Sequence, residues 1–225
     1  MILFLIKYNH FWDQNLLRSF HVLSTFAFSK NTSNSGDSFS QTAETSNIFE
    51  SNQAWYDLAM AVSDTDEDEV YVGVLNIWKS SNGGDDFSPI NSWFQHTASF
   101  THADIHFLRF FDGELFCGSD GGFYKSTDAG TTFADITGNM EITQFYRMDM
   151  SQQTSQKMVG GTQDNGGFGY FNNWNDYHFG DGMEGVIDPN NDNLYYGFMQ
   201  FGQNLFVSND SGQSGSQAFG GPENG

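Results

Sequence analysis

His102, Asp104 and His106 alternate along the chain, and three further aspartates, Asp120, Asp164 and Asp181, stand beside glycines. On an extended strand, side chains at i, i+2 and i+4 share one face. Two imidazoles and a carboxylate in such a row suit a divalent metal, so His102, Asp104 and His106 form one candidate ligand set. The competing reading is a polar strand end whose histidines hydrogen-bond to nearby loops, and the spacing names no fourth ligand. The aspartates occur in Ser119-Asp120-Gly121-Gly122, Gln163-Asp164-Asn165-Gly166 and Gly180-Asp181-Gly182. Two carboxylates placed across a sugar could serve as acid and base in glycoside hydrolysis, their separation setting the stereochemistry. The same groups, with Gln163 and Asn165, serve equally as binding contacts or as isolated turn residues. Trp93, Phe94 and Trp174 could stack on sugar rings, although core packing accounts for most aromatics of this kind.

Several chemistries are excluded. No Gly-x-Ser-x-Gly elbow, phosphate loop or dinucleotide fingerprint is present. A sialidase is disfavoured: it needs an arginine triad for its substrate carboxylate, and of the arginines here, Arg18, Arg109 and Arg147, the first lies in the N-terminal stretch that shows no relation to the repeats. The single cysteine, Cys117, forbids an internal disulfide and sits in the apolar run Leu115-Phe116-Cys117-Gly118, so it reads as a small core residue.

The elements that must position these residues are repeats. Ser126-Thr127-Asp128-Ala129-Gly130-Thr131-Thr132-Phe133 recurs as Ser80-Ser81-Asn82-Gly83-Gly84-Asp85-Asp86-Phe87 and as Thr32-Ser33-Asn34-Ser35-Gly36-Asp37-Ser38-Phe39. A fourth copy, Ser208-Asn209-Asp210-Ser211-Gly212, lacks the aromatic, and Asn172-Asn173-Trp174 reads as an eroded one. Short strands ending at glycine run alongside: Val70 to Gly73, Leu115 to Gly118, Lys157 to Gly160 and Leu194 to Gly197. Repeats of about 40–50 residues made of short strands are the signature of propeller blades. The expected fold is therefore all-β: a β-propeller of about four blades, each a four-stranded antiparallel sheet, cut from a larger ring of six to eight or more blades. In the repeated turn, the Asp or Asn caps turn N–H groups and the Gly takes a positive φ. Asp128 and Asp210 are therefore structural. An alternative register makes Thr162-x-Asp164-x-Gly166 a poor copy of the turn, which would make Asp164 structural too. The acidic run 64–69 lacks the spaced ligand pattern of a calcium loop and reads as a solvated turn. Residues 1–25 show no relation to the repeats, and the partial propeller is assigned to 26–225.

Composition bounds the partners. The chain has 225 residues and a formal net charge of −20, from 28 acidic and 8 basic side chains. Neutralising phosphates needs clustered Lys and Arg, so nucleic acid is excluded, and an anionic membrane surface for the same reason. A cation, a neutral glycan or a basic protein patch fits better, unless the charge simply maintains solubility. Its 24 Phe, 9 Tyr and 5 Trp suit sheets packed on sheets. The apolar start, Met1 to Ile6, is too short for a secretory h-region or a membrane span, so no signal peptide is recognised in the chain as written.

On these motifs the chain resembles secreted Asp-box (BNR-repeat) propeller proteins, the superfamily of sialidases, sortilin-type propellers and xyloglucan-cleaving glycoside hydrolases. The likeness spans about residues 50–212. It is carried by Trp55-Tyr56-Asp57-Leu58, His102-Ala103-Asp104-Ile105-His106, Asp120-Gly121-Gly122-Phe123-Tyr124-Lys125-Ser126, Gly161-Thr162-Gln163-Asp164-Asn165-Gly166 and Gly180-Asp181-Gly182-Met183. The resemblance implies a secreted or cell-surface location and a glycan or protein ligand. It leaves two functions open: a non-catalytic binding or scaffold module with a site drawn from His102, Asp104, His106, Gln163, Asp164, Asn165 and Asp181, or a glycoside hydrolase using Asp120, Asp164 or Asp181.

Overall fold

The computed structural model describes residues 2–7, 17–23, 26–32, 38, 40–44, 48–51, 53–140 and 143–219. The first copy of the repeated turn, at 32–39, and residues 220–225 lie largely or wholly outside them. The chain divides into two compact units, Met1–Asn139 and Met140–Gly225.

The first unit holds three four-stranded antiparallel sheets in sequence order. The first comprises β1 (Ile2–Lys7), β2 (Leu17–Leu23), β3 (Phe26–Thr32) and β4 (Ser40–Gln41). The second comprises β5 (Ala59–Val62), β6 (Val70–Gly73), β7 (Ile77–Ser80) and β8 (Ser88–Pro89). The third comprises β9 (Ile105–Phe111), β10 (Glu114–Ser119), β11 (Gly122–Ser126) and β12 (Ala134–Asp135). The second unit holds two more: β13 (Phe145–Met150), β14 (Met158–Thr162), β15 (Gly166–Phe171) and β16 (Asn173–His178), then β17 (Gly182–Asp188), β18 (Asn191–Met199), β19 (Leu205–Ser208) and β20 (Ser216–Phe219). Helical structure among the described residues is one 3-10 turn, Gln200–Gly202. Every sheet is a four-strand meander, which is the blade of a β-propeller. Four of the sheets, from Ala59 onward, coincide with the repeats legible in the sequence.

The strands form where they do because apolar and β-branched residues alternate between polar turns. In β5, Ala59 and Ala61 enter one buried cluster with Tyr71, Ile105 and Leu115, while Met60 and Val62 enter another with Val70 and Val72. Both faces of this strand are covered, so its run is continuously apolar. In the second unit, Val159, Tyr177, Ile187, Tyr195 and Phe206 form the core. Cys117 is buried in β10, and burial pushes its thiol pKa up, as befits an inert core residue. The strand-end glycines make room for packing: a Cβ on Gly73 would meet the Ile105 side chain at 2.6 Å.

Three copies of the Ser-x-Asx-x-Gly turn fold alike, each joining the third and fourth strands of a sheet. The Ser80 hydroxyl accepts the Gly84 N–H at 2.8 Å and donates to Asn82 Oδ1 at 2.8 Å, while Asn82 Oδ1 accepts the Asp86 N–H at 3.0 Å. Ser126 repeats this with Gly130 at 2.8 Å and Asp128 at 2.8 Å, and Asp128 accepts the Thr132 N–H at 2.8 Å. Ser208 repeats it with Gly212 at 2.9 Å and Asp210 at 2.7 Å, and Asp210 accepts the Ser214 N–H at 2.9 Å. Two successive residues have positive φ in each: Gly83 and Gly84, Ala129 and Gly130, Ser211 and Gly212. Hydrogen bonds from Thr132 and Ser126 hold the Asp128 carboxyl below its ordinary pKa. At the same place in the fourth sheet, the turn is a tight one about Asn172 (φ 70), where Phe171 pairs with Asn173.

Candidate functional site

The sequence places His102, Asp104 and His106 on one face of a strand. The structure corrects this. β9 begins only at Ile105, and Asp104 has a left-handed backbone (φ 59), which breaks the alternation. His102 stands outside the row; its ring lies where a Cβ on Gly121 would be, with Nδ1 3.3 Å from the Ala103 carbonyl. His106 is redirected by a bulge: Ile105 pairs with Ser119 and Phe107 with Gly118, leaving His106 as the extra residue. Bulges re-aim side chains next to sites, and this one sends His106 Nε2 to Asp120 Oδ1 at 2.8 Å.

Asp120 lies in the β10–β11 turn, and its N–H donates to the Asp104 carbonyl at 3.2 Å. Its other carboxylate oxygen accepts the Tyr56 hydroxyl at 2.9 Å. The Tyr56 ring packs edge-on against His106, centroids 4.8 Å apart, and also contacts the Trp55 ring at 5.9 Å. Trp55 is 72% exposed. The carboxylates of Asp104 and Asp120 approach within 4.8 Å of each other.

Behind them lies a residue that motif reading passes over. Asp57 is fully buried (0% exposed), and its Oδ1 has no hydrogen-bond donor. Gln53 Nε2 bridges Asp57 Oδ2, at 2.9 Å, and Asp104 Oδ1. Burial, opposed by the Gln53 bond and reinforced by the neighbouring Asp104 charge, pushes the Asp57 carboxyl up to about 6. Asp57 stands in the segment Trp55-Tyr56-Asp57-Leu58; an acid within an aromatic run was the available signal.

The second unit positions Gln163, Asp164, Asn165 and Asp181. The 163–165 turn joins β14 to β15, the same place that Asp120 holds between β10 and β11. It is no copy of the Ser-x-Asx-x-Gly turn: the Thr162 hydroxyl donates to the Gly166 carbonyl at 3.0 Å, where the serines of that turn accept a glycine N–H. Asp181 Oδ1 accepts the Asp164 N–H at 3.0 Å, and Gly166 N–H donates to the Gly180 carbonyl at 2.8 Å. Glycines permit this approach. A Cβ on Gly161 would lie 2.4 Å from the Gly182 carbonyl carbon, and one on Gly182 would lie 2.1 Å from the Gly166 oxygen. The two glycine-flanked motifs are therefore stitched together backbone to backbone. Asn165 Nδ2 donates to the Gln163 carbonyl at 3.3 Å. The Tyr146 hydroxyl donates to Gln163 Oε1, and Tyr146 is itself the extra residue of a bulge in β13.

Near this stitch, a cleft of about 700 Å³ is lined by Tyr146, Met183, Phe198, Met199 and Phe201, with Arg147 and Glu184 also on its wall. Arg147 Nη1 donates to Glu184 Oε2 at 2.9 Å. Phe201 is 79% exposed and has φ 60, a conformation that is uncommon for a bulky side chain. Asp164 and Asp181 are not among the residues lining this cleft.

No protein-family profile and no curated protein matches the chain. Solved structures with a similar fold include the GH74 enzyme of Niastella koreensis, at 18% identity and TM-score 0.42, covering 91% of this chain and 36% of that one. The GH74 xyloglucanase of Xanthomonas campestris gives 15% identity and TM-score 0.41, covering 92% of this chain and 37% of that one. YCF48 bound to D1 peptide gives 10% identity and TM-score 0.36, covering 89% of this chain and 78% of that one. The chain thus spans about a third of the length of the GH74 enzymes it is similar to.

Proposed function

We propose that this chain is part of a larger Asp-box propeller of a secreted or cell-surface protein and acts there as a binding module for a neutral glycan. The observation that carries this reading is Trp55. It is 72% exposed and its ring contacts that of Tyr56, centroids 5.9 Å apart, so two aromatic rings stand together at the surface. Beside it, Tyr56, His106 and Asp120 form a hydrogen-bonded group of donors and acceptors. An aromatic face with polar groups at its margin suits the apolar face and hydroxyl rim of a sugar ring. The charge of −20 favours a neutral ligand over an anionic one. Asp120 accepts from two partners, and Asp181 caps a backbone N–H, so both act as fixed acceptors.

One observation favours a hydrolase instead. Asp57, whose carboxyl burial pushes up to about 6, stands beside Asp104, and two neighbouring carboxyl groups suit acid and base roles. Calorimetric titration of neutral oligosaccharides, together with reducing-sugar release from a polysaccharide panel, separates the two. The binding module predicts affinity that falls at least tenfold in Trp55→Ala, without turnover. Turnover abolished by Asp57→Asn or Asp120→Asn would establish the hydrolase, and the absence of both binding and turnover would remove the glycan altogether.

A further inference from the structure

We infer that Asp57, Asp104 and Asp120, backed by Gln53, form a binding site for a hard divalent cation, calcium in preference to magnesium. Three carboxylates gather here: Asp104 within 4.8 Å of Asp120, and Asp104 joined to Asp57 through the Gln53 amide. Lys79 and Lys125 of this unit are committed elsewhere, to Glu69 at 2.6 Å and Glu114 at 3.0 Å. His106 Nε2 bonds Asp120 Oδ1 at 2.8 Å. The second, independent observation is Asp57 itself. Its side chain is fully buried and its Oδ1 meets no donor. A buried carboxylate facing another carboxylate is unfavourable unless a positive charge intervenes.

Gln53 marks where that charge sits. Its Nε2 lies 2.9 Å from Asp57 Oδ2 and also contacts Asp104 Oδ1. A half-turn of the amide would bring Oε1 to the same place, so Gln53 can change from a neutral bridge to a fourth oxygen ligand. The donors are then all oxygen, which selects calcium or magnesium over zinc. They come from the segment before β5, a left-handed residue and a hairpin turn, so their arrangement is irregular. Calcium tolerates irregular geometry, whereas magnesium demands a near-ideal octahedron. This set differs from the His102, Asp104 and His106 row suggested by sequence alternation: it keeps Asp104 and replaces both imidazoles with carboxylates.

The test is calcium chloride titrated into the chelator-treated 225-residue chain, followed by calorimetry and by thermal melting. The expected result is one calcium per chain and a melting temperature that rises with calcium. Asp104→Asn, at a partly exposed position and verified as folded by circular dichroism, should weaken binding at least tenfold, and Asp120→Asn should weaken it as well. Asp66→Asn, in the rival acidic turn at 64–69, should bind as the parent does. No heat and no melting shift up to several millimolar calcium would overturn the inference. So would parent-like binding by Asp104→Asn, loss of binding in Asp66→Asn, or uptake of a single proton at the site with no response to chelator.

Discussion

Ser126→Ala tests the repeated turn at its centre. The Ser126 hydroxyl is buried and accepts the Gly130 N–H at 2.8 Å, while donating to Asp128 Oδ1. Asp128 lies at the surface, and water can replace what its carboxylate loses. The Gly130 N–H is buried and has no such substitute. A buried donor left without a partner costs about 1–3 kcal/mol, so a loss of about 2 kcal/mol is expected. For a chain of this size, each kcal/mol moves the melting temperature by about 2–4 °C, giving a fall of about 4–8 °C. Calorimetric melting measures the fall, and hydrogen exchange at the Gly130 amide locates it. Ser80→Ala and Ser208→Ala remove equivalent bonds, of 2.8 and 2.9 Å, and should agree with it to within about 0.5 kcal/mol if the sites are independent. Asp128→Asn should be tolerated, since Asn82 occupies that position in the preceding copy. Unchanged melting in Ser126→Ala together with unchanged protection at Gly130 would refute the reasoning, for the hydroxyl would then not be holding the turn.

Two further outcomes are expected. His178 is buried, its ring stacked on Phe206 with centroids 5.0 Å apart, and burial holds its pKa below the ordinary 6.5. The unfolded chain takes up this proton as pH falls through about 6.5 and the folded chain only lower, so stability present above 6.5 is lost below it; melting of His178→Phe at pH 7.5 and 5.5 should fall less than that of the parent. Gly161→Ala should cost about 3 kcal/mol or more, because its Cβ would strike the Gly182 backbone at 2.4 Å and neither strand has a flexible side chain to yield; a variant melting within 1 °C of the parent would show that the two backbones are not in contact.

The sequence displayed the blades plainly because a propeller repeats the same local solution. Each Ser-x-Asx-x-Gly turn closes within eight residues, so its hydrogen bonds follow from its own letters. The acidic turn at 64–69 was legible for the same reason: Ser63 Oγ caps Asp66 at 3.3 Å, and Asp66 Oδ1 caps Asp68 at 3.0 Å. The site was less legible because its decisive features are non-local. The bulges at His106 and Tyr146 are properties of register between two strands, and no composition signals them. The left-handed backbone at Asp104 undoes a two-residue alternation that the letters alone would support. Asp57 acquires its character from burial and from Gln53 and Asp104, the latter 47 positions further along the chain. Even the glycines of Gln163-Asp164-Asn165-Gly166 and Gly180-Asp181-Gly182 resemble ligand loops until Gly161, Gly166 and Gly182 are seen to touch.

Strand order explains why the repeated turns and the His106–Asp120 and Tyr146–Gln163 pairs lie at opposite ends of the sheets. In a four-strand meander, the turns after the first and third strands lie at one end, and the turn after the second lies at the other, beside the start of the first. The Ser-x-Asx-x-Gly turns follow third strands and therefore occupy the first of these ends. Asp120 follows the second strand of its sheet, and the bulge at His106 opens the first, so the two meet at the opposite end. Gln163 and Tyr146 meet in the same way in the β13–β16 sheet. A bulge at this end turns one side chain out of the strand's alternation toward the neighbouring turn, which is how a strand of ordinary core sequence comes to present an imidazole to Asp120 in one sheet and a phenol to Gln163 in another.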